Sequence, residues 1–356
     1  MKRRQFIMAS IMAAIYLFAY GGGKAYLTVK VIDAMTGSPI PNMCVHGGFE
    51  NVSPGWGIAS KDNNDDGLTD CNGFCCLSGR TEVGHSCCIV RGNAGYYNSG
   101  WYSFDYQERS ILKLGRWMPD NVVVTVRLDR IINPIPLYVK HAVGEHRRRD
   151  RSYYEVRQRR KDLSATNDVP VLSNAKMAYD LLKGTWMPPH GEGERADIEF
   201  TFNEEVLGWK ETMCPGGIAL DKKYRIMVSI VMPGDGNGLF EVIPDENAGI
   251  KLRTAPLEGY VNNLTRWRGW FGGGDGTKTD CDKRRCYAFR IRTVYDKEGN
   301  IKNAYYGKFY DDFDLVSHEG VEIHYYLNPT SNNRNLEWDM KNNLCPNPGD
   351  IGNPRP

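Results

Sequence analysis

The chain has 356 residues, of which 45 are Lys or Arg and 43 are Asp or Glu, a formal net charge of +2. That balance excludes nucleic acid as an obvious partner and gives no electrostatic pull toward a membrane surface. With 41% hydrophobic and 25% charged residues the composition is globular, and the length suits about two domains at ~150 residues each. The 38 glycines and 20 tyrosines favour a turn-rich, mainly β fold over helix bundles.

Lys2, Arg3 and Arg4 precede an apolar run from Phe6 to Tyr20. The run is short for a bilayer span, which takes ~20 residues. Basic start, short apolar core and small residues after it read as a signal peptide over residues 1–24. Arg3-Arg4 ahead of Gln5-Phe6-Ile7 also fits a twin-arginine export signal. No later run is apolar enough to span, so the expectation is a bacterial exported protein in the periplasm, at the cell surface or outside the cell. Ten cysteines, an even number, suit an oxidising compartment and read as disulfides.

Residues 25–140 read as a first, Cys-rich β-sandwich. Tyr26–Ala34 alternates, with Leu27, Val29 and Val31 on one face, as a half-buried strand does. Further strands are expected at Cys44–Phe49, Gly73–Leu77, Ser86–Arg91 and Asn121–Leu128. Between the first two, Thr36-Gly37-Ser38-Pro39-Ile40-Pro41 is a turn, since glycine tolerates positive φ and proline fixes its own.

Val29-Lys30-Val31-Ile32-Asp33, that turn, and Thr69-Asp70 with Gly73-Phe74 together resemble the carboxypeptidase regulatory-like domain. The resemblance covers roughly residues 25–130 and departs in the cysteines and a long acidic stretch. It implies a transthyretin-like, immunoglobulin-like sandwich, a non-catalytic attachment or folding module with no catalytic residues to carry over.

Asp62, Asn64, Asp66, Gly67 and Asp70 follow the spacing of a calcium loop, with the Leu68 carbonyl as a further ligand. Gly73 stands where a bidentate Glu would close such a loop, so a calcium site here would be weak, and the competing reading is a polar surface loop. No cofactor is required otherwise.

Neighbours on a strand point to opposite faces, so Cys75 and Cys76 diverge, as do Cys87 and Cys88. If their strands pair about Thr81 and Glu82, Cys75 faces Cys88 and Cys76 faces Cys87, and one of these pairs can be bridged, with Cys44 and Cys71 as another candidate pair. A zinc site using His46 and His85 is disfavoured, because paired C-x-x-C knuckles are lacking. Further along, Cys281 with Cys286 and Cys214 with Cys345 are candidates by parity and proximity.

Residues 141–168 carry Arg147-Arg148-Arg149, Arg151, Arg157, Arg159, Arg160 and Lys161 with few aliphatics, and read as a basic inter-domain linker. Residues 169–344 form a second β-rich domain resembling exported bacterial proteins of unknown function, and residues 345–356 a flexible tail. Within it Ala175–Lys183 reads as a short helix. Strands are expected at Ala196–Phe202, Tyr224–Val231, Tyr287–Val294, Ala304–Tyr310 and Val321–Leu327, with a hairpin turn at Asp296–Asn300.

Catalytic signatures are thin: no G-x-S-x-G elbow, H-E-x-x-H or phosphate loop occurs. Asp311-Asp312-Phe313-Asp314 with His318 and Glu322 reads as a solvated turn rather than a glycosidase or metal site. Trp267, Trp270 and Phe271, on what reads as a glycine-rich loop, can stack on sugar rings or pack against a protein partner. The sequence thus points to an exported, non-catalytic binding or structural module at the cell envelope. The alternative is a secreted hydrolase with its site in the second domain.

Overall fold

The computed structural model describes residues 23–50, 63–93, 95–110, 115–145, 174–214, 217–242, 252–271, 276–316, 320–349 and 351. The described residues are all-β, and the chain divides into two compact units at Ile132/Asn133.

The first unit holds β1 (Gly23–Asp33), β2 (Cys44–Phe49), β3 (Asn63–Leu68), β4 (Phe74–Thr81), β5 (His85–Arg91), β6 (Tyr102–Asp105), β7 (Glu108–Ser110), β8 (Arg116–Met118) and β9 (Val122–Leu128). A three-stranded sheet, β4-β1-β9, and a four-stranded sheet, β3-β2-β5-β6, enclose one core. The two-residue period of a strand drives this: Ala25, Leu27, Val29 and Val31 of β1 all point inward and meet Val45, Phe49 and Val90 of the second sheet. The Thr36–Pro41 turn is tied from several sides. The Asp33 carboxylate accepts the Met35 and Thr36 N–H groups, and the buried Thr69 hydroxyl donates to the Ile40 carbonyl while accepting the Met43 N–H. Gly73, at φ +78, lies so close to the Val31 carbonyl and Pro39 that a Cβ there would clash. The residues of the family-like motif therefore hold one turn against another.

The second unit holds β10 (Ile135–Glu145), β11 (Ala175–Asp180), β12 (Thr185–Trp186), β13 (Ile198–Cys214), β14 (Gly217–Val231), β15 (Gly238–Val242), β16 (Asn263–Trp270), β17 (Thr277–Thr279), β18 (Cys286–Tyr295), β19 (Ile301–Phe309), β20 (Asp314–Val316), β21 (Gly320–Asn328) and β22 (Trp338–Asn343). A seven-stranded sheet runs β15-β18-β19-β21-β10-β22 with β20 beside β21, and a six-stranded sheet runs β12-β11-β13-β14-β16-β17. Their facing sides bury an aromatic-rich core that includes Phe200, Phe202, Ile226, Val228, Phe289, Phe309, Phe313 and Tyr325. The far side of the seven-stranded sheet carries two smaller clusters, one with Leu252, Cys286, Ala288 and Tyr306, the other with Leu137, Val139, Tyr326 and Trp338.

Several expectations are corrected. Ala175–Asp180 is a strand, not the start of a helix: Met177 and Tyr179 point into the core and Ala175–Tyr179 pairs with Ile198–Phe202. Good helix formers lose here to sheet pairing around a buried Tyr. The second unit begins before residue 141, because β10 pairs with β21 and β22, so the division between the two units precedes the basic stretch in the chain. Its residues 146–168 are outside the described residues. The tail begins tethered: Cys345 is buried, the Asn347 side chain donates to the Lys183 carbonyl, and Lys140 Nζ donates to the Asn347 carbonyl.

Candidate functional site

Strand β16 organises the site. Its even-numbered residues face the seven-stranded sheet and its odd-numbered ones face away. Arg266, 7% exposed, donates through Nε to both Asp312 oxygens at 3.1 Å and also reaches Tyr287 Oη. Tyr287 in turn donates to Asp312 Oδ1 at 2.9 Å, and Arg285 Nη1 reaches Asp312 Oδ2 at 3.2 Å. Arg268 donates to the Leu315 carbonyl. Burial pushes the Tyr287 hydroxyl far above its ordinary range, the neighbouring Asp312 carboxylate adding to the effect. These anchors correct the reading of residues 311–314 as a solvated turn: Asp312 and Phe313 are buried, Asp312 by pairing with arginine. His318 lies outside the described residues.

With the arginines drawn inward, Trp267 is turned outward. Its N–H donates to Asp280 Oδ1 at 2.7 Å and its carbonyl accepts the Thr279 hydroxyl at 2.8 Å. Phe271 meets it edge to face, with ring centroids 6.3 Å apart. Gly269 makes that possible: a Cβ on it would lie 2.9 Å from the Phe271 ring. Arg225 lies over the Trp267 ring at 5.3 Å and Lys278 over the Phe271 ring at 5.4 Å, each within cation–π range. Met227, directly opposite Trp267 in the ladder, is 43% exposed, with Asn203 opposite it on β13. The result is a half-buried aromatic shelf flanked by cations and amide and hydroxyl groups.

The three aromatic residues singled out in the sequence are thus separated. Trp267 and Phe271 come together, whereas Trp270 pairs with Tyr224 and by alternation shares the face of Arg266 and Arg268. The segment Arg266–Trp270 is a strand, not a loop, because β14 pairs with it residue by residue. Arg225, Met227 and Asn203 were not anticipated; only the pairing register brings them beside Trp267.

The acidic stretch also differs from expectation. Asn63–Leu68 is an edge strand paired with β2, not a tight calcium loop. Charged residues are a common way to guard a sheet edge. Asp65 points inward and accepts the Ser78 N–H at 2.7 Å, and Asp66 is engaged by His46 Nδ1. Asp70 accepts the Asn72 and Phe74 N–H groups of its own turn. Asn64 and Leu68 are exposed, and Asp62 lies outside the described residues.

The cysteines follow alternation but not the hairpin assumed for them. β4 pairs with β1, and β5 pairs with β2 and β6, so the chain crosses between sheets after Thr81. Cys75 and Cys88 both enter the core between the sheets, where burial pushes their thiols up to about 11 and about 12. Cys76 and Cys87 sit on the outward faces of different sheets and do not face each other. Cys44 is partly exposed on β2 and Cys71 is exposed in a turn. Cys281 packs on the main core of the second unit while Cys286 lies in a cluster on the other side of the seven-stranded sheet, so the small loop expected between them is not closed by packing. Cys345 lies beside Gly184, and Cys214 ends β13 with its side chain outside the described residues.

No protein-family model matches the chain, and no curated protein is similar to it in sequence. Among solved structures, the major pilin SpaD of Corynebacterium diphtheriae is 9% identical over 85% of this chain and 91% of its own, with a TM-score of 0.22. BcpA, the major pilin subunit of Bacillus cereus, is 10% identical over 85% and 95%, at 0.23. The Bacillus anthracis TIE protein is 13% identical over 60% of this chain, at 0.22, and this chain spans only 29% of its length. At these TM-scores the likenesses carry no weight for function. No helix among the described residues is long and apolar enough to cross a membrane.

Proposed function

We propose that this chain is an exported, non-catalytic β-protein of the cell envelope whose second unit binds a carbohydrate or protein partner through the Trp267–Phe271 shelf. The observation that carries this reading is the outward Trp267, held by its backbone clamps and flanked by the inward-facing Arg266 and Arg268, the first of them buried, beside an exposed Met227. A fixed indole offers a flat apolar face at little entropic cost, and the adjoining Asn203, Glu205 and Arg225 suit the hydroxyls of a sugar ring. Export is supported by the basic start and apolar run at residues 2–20. The non-catalytic reading is supported by the fate of the buried carboxylates: Asp312, Asp180, Asp197 and Asp33 are each tied to arginine, which favours a structural duty.

The test is binding of the full chain to an array of bacterial polysaccharides and peptidoglycan fragments. Saturable binding that Trp267→Ala removes supports the reading. Binding indifferent to that substitution, or turnover of any arrayed glycan, contradicts it.

A further inference from the structure

Away from that shelf, on the far side of the seven-stranded sheet, β10 and β21 bring together three residues that the sequence holds far apart. His141 and His324 are direct partners in the antiparallel ladder, and Glu322 lies two residues from His324 on the same face. The two imidazoles stack with centroids 4.0 Å apart and planes 16° from parallel. The His141 Nε2 is shut off from solvent and makes no hydrogen bond, and Glu322 Oε2 stands 3.6 Å from it. One ligand atom from each of the three residues lies within 4.8 Å of the others. The apolar cluster of Leu137, Val139 and Tyr326 on the same face of these strands, with Trp338 of the adjoining β22, walls one side.

We propose that His141, Glu322 and His324 form a zinc site of the His₂Glu type with its fourth position open to water or to a ligand. Zinc bonds of roughly 2.0–2.2 Å in tetrahedral array place ligand atoms roughly 3.3–3.6 Å apart. The His141–Glu322 pair already has that spacing, and the third ligand needs a shift of about an ångström, within reach of a side-chain torsion. Because the two rings lie nearly parallel, each must turn about its side-chain torsions to aim a nitrogen at one shared cation. Two imidazoles and a carboxylate suit zinc over magnesium or calcium, which prefer all-oxygen shells. The buried ring nitrogen without a hydrogen bond fits the same reading: such a group costs stability in a folded interior, and a bound metal removes that cost. The bound ion would clip the first strand of the second unit to one of its last.

The experiment uses the full chain, with its accessible cysteines reduced and alkylated under native conditions so that exposed thiolates cannot compete, stripped with chelator and titrated with Zn²⁺ by calorimetry. One zinc per chain with micromolar or tighter affinity and a raised melting temperature is expected. His324→Asn should weaken binding by about 100-fold, the upper end of what even an outer-sphere partner costs. Should that variant fail to fold, Glu322→Gln, which keeps size and shape, serves the same purpose with a smaller loss. Co²⁺ in place of Zn²⁺ should give a nitrogen–oxygen visible spectrum without a sulfur charge-transfer band. Absence of saturable zinc binding up to millimolar concentration, binding unmoved by both variants, or a sulfur band would each overturn the site.

Discussion

At the scale of single residues, buried charge explains more of this molecule than exposed charge does. Asp33 is almost fully buried at the end of β1. Burial alone would raise its carboxyl, but Arg130, the Thr36 and Met35 N–H groups and the Tyr96 hydroxyl together hold it well below the usual range. Because the folded value is depressed, its contribution is complete above the unfolded carboxyl value of about 3.9 and fades as pH falls below that. Asp33→Asn should therefore cost the first unit about 2 kcal/mol at neutral pH, from hydrogen bonds made to a charged acceptor. The difference from wild type should shrink in denaturant titrations at acid pH.

Lys308 shows the opposite sign. It is fully buried between the Tyr310 and Tyr326 rings, near Glu337, and desolvation pushes its ammonium down to about 8. The folded state gives up this proton before the unfolded state does, so its contribution to stability rises with pH between about 8 and the unfolded value of about 10.4. Wild type minus Lys308→Met stability, measured across that window, should climb; a flat difference would contradict it. Thiols are graded in the same way. In reduced native protein Cys71 and Cys76, both exposed, should alkylate first, and Cys75, Cys88 and Cys286, raised by burial to about 11, 12 and 12, only on unfolding. Equal rates would contradict the placement.

At the scale of elements, strands with clean alternation were legible in the sequence. Cys44–Phe49 stands as read, and Tyr26–Ala34, Asn121–Leu128 and Val321–Leu327 differ from the observed strands only at their ends. The Asp296–Asn300 turn also forms, closed by an N–H of Asp296 donating to the Asn300 carbonyl and by Gly299 at φ +84. Elements whose reasons lie far away in the chain were not legible. β3 carries Asn-Asn-Asp-Asp-Gly ahead of Leu68, with no apolar alternation, and becomes a strand because β2 supplies a partner. β16 places arginines inward because Asp312 waits for one of them. His141 sits at the edge of a basic stretch, and nothing local announces that His324 lies opposite it. Periodicity reports which residues share a face, not which strand lies alongside. That is also why Cys75 and Cys88 were rightly directed to one side of their strands while the hairpin joining them was wrong.

At the scale of the whole molecule, the all-β class and two-part organisation follow from length, glycine content and strand patterning, but the boundary does not. β10 crosses the point where composition turns basic, and it pairs on both sides within the second unit. A fragment starting at Asn133 should therefore fold cooperatively, whereas one starting at residue 169 lacks a central strand of the seven-stranded sheet and should not. Circular dichroism and thermal melting of the two fragments check this, and equal stability would contradict it.

The aromatic shelf ties the three scales together, since a single glycine, two inward-facing arginines and a two-sheet frame all serve to present Trp267. Affinity electrophoresis in polysaccharide-containing gels, with the wild-type, Trp267→Ala and Trp270→Ala chains side by side, tests it most directly. Retardation of the wild type, lost in Trp267→Ala and kept in Trp270→Ala on the opposite face of the strand, is the expected result. Equal retardation of all three chains, or loss in Trp270→Ala alone with its fold intact, would contradict binding at this face.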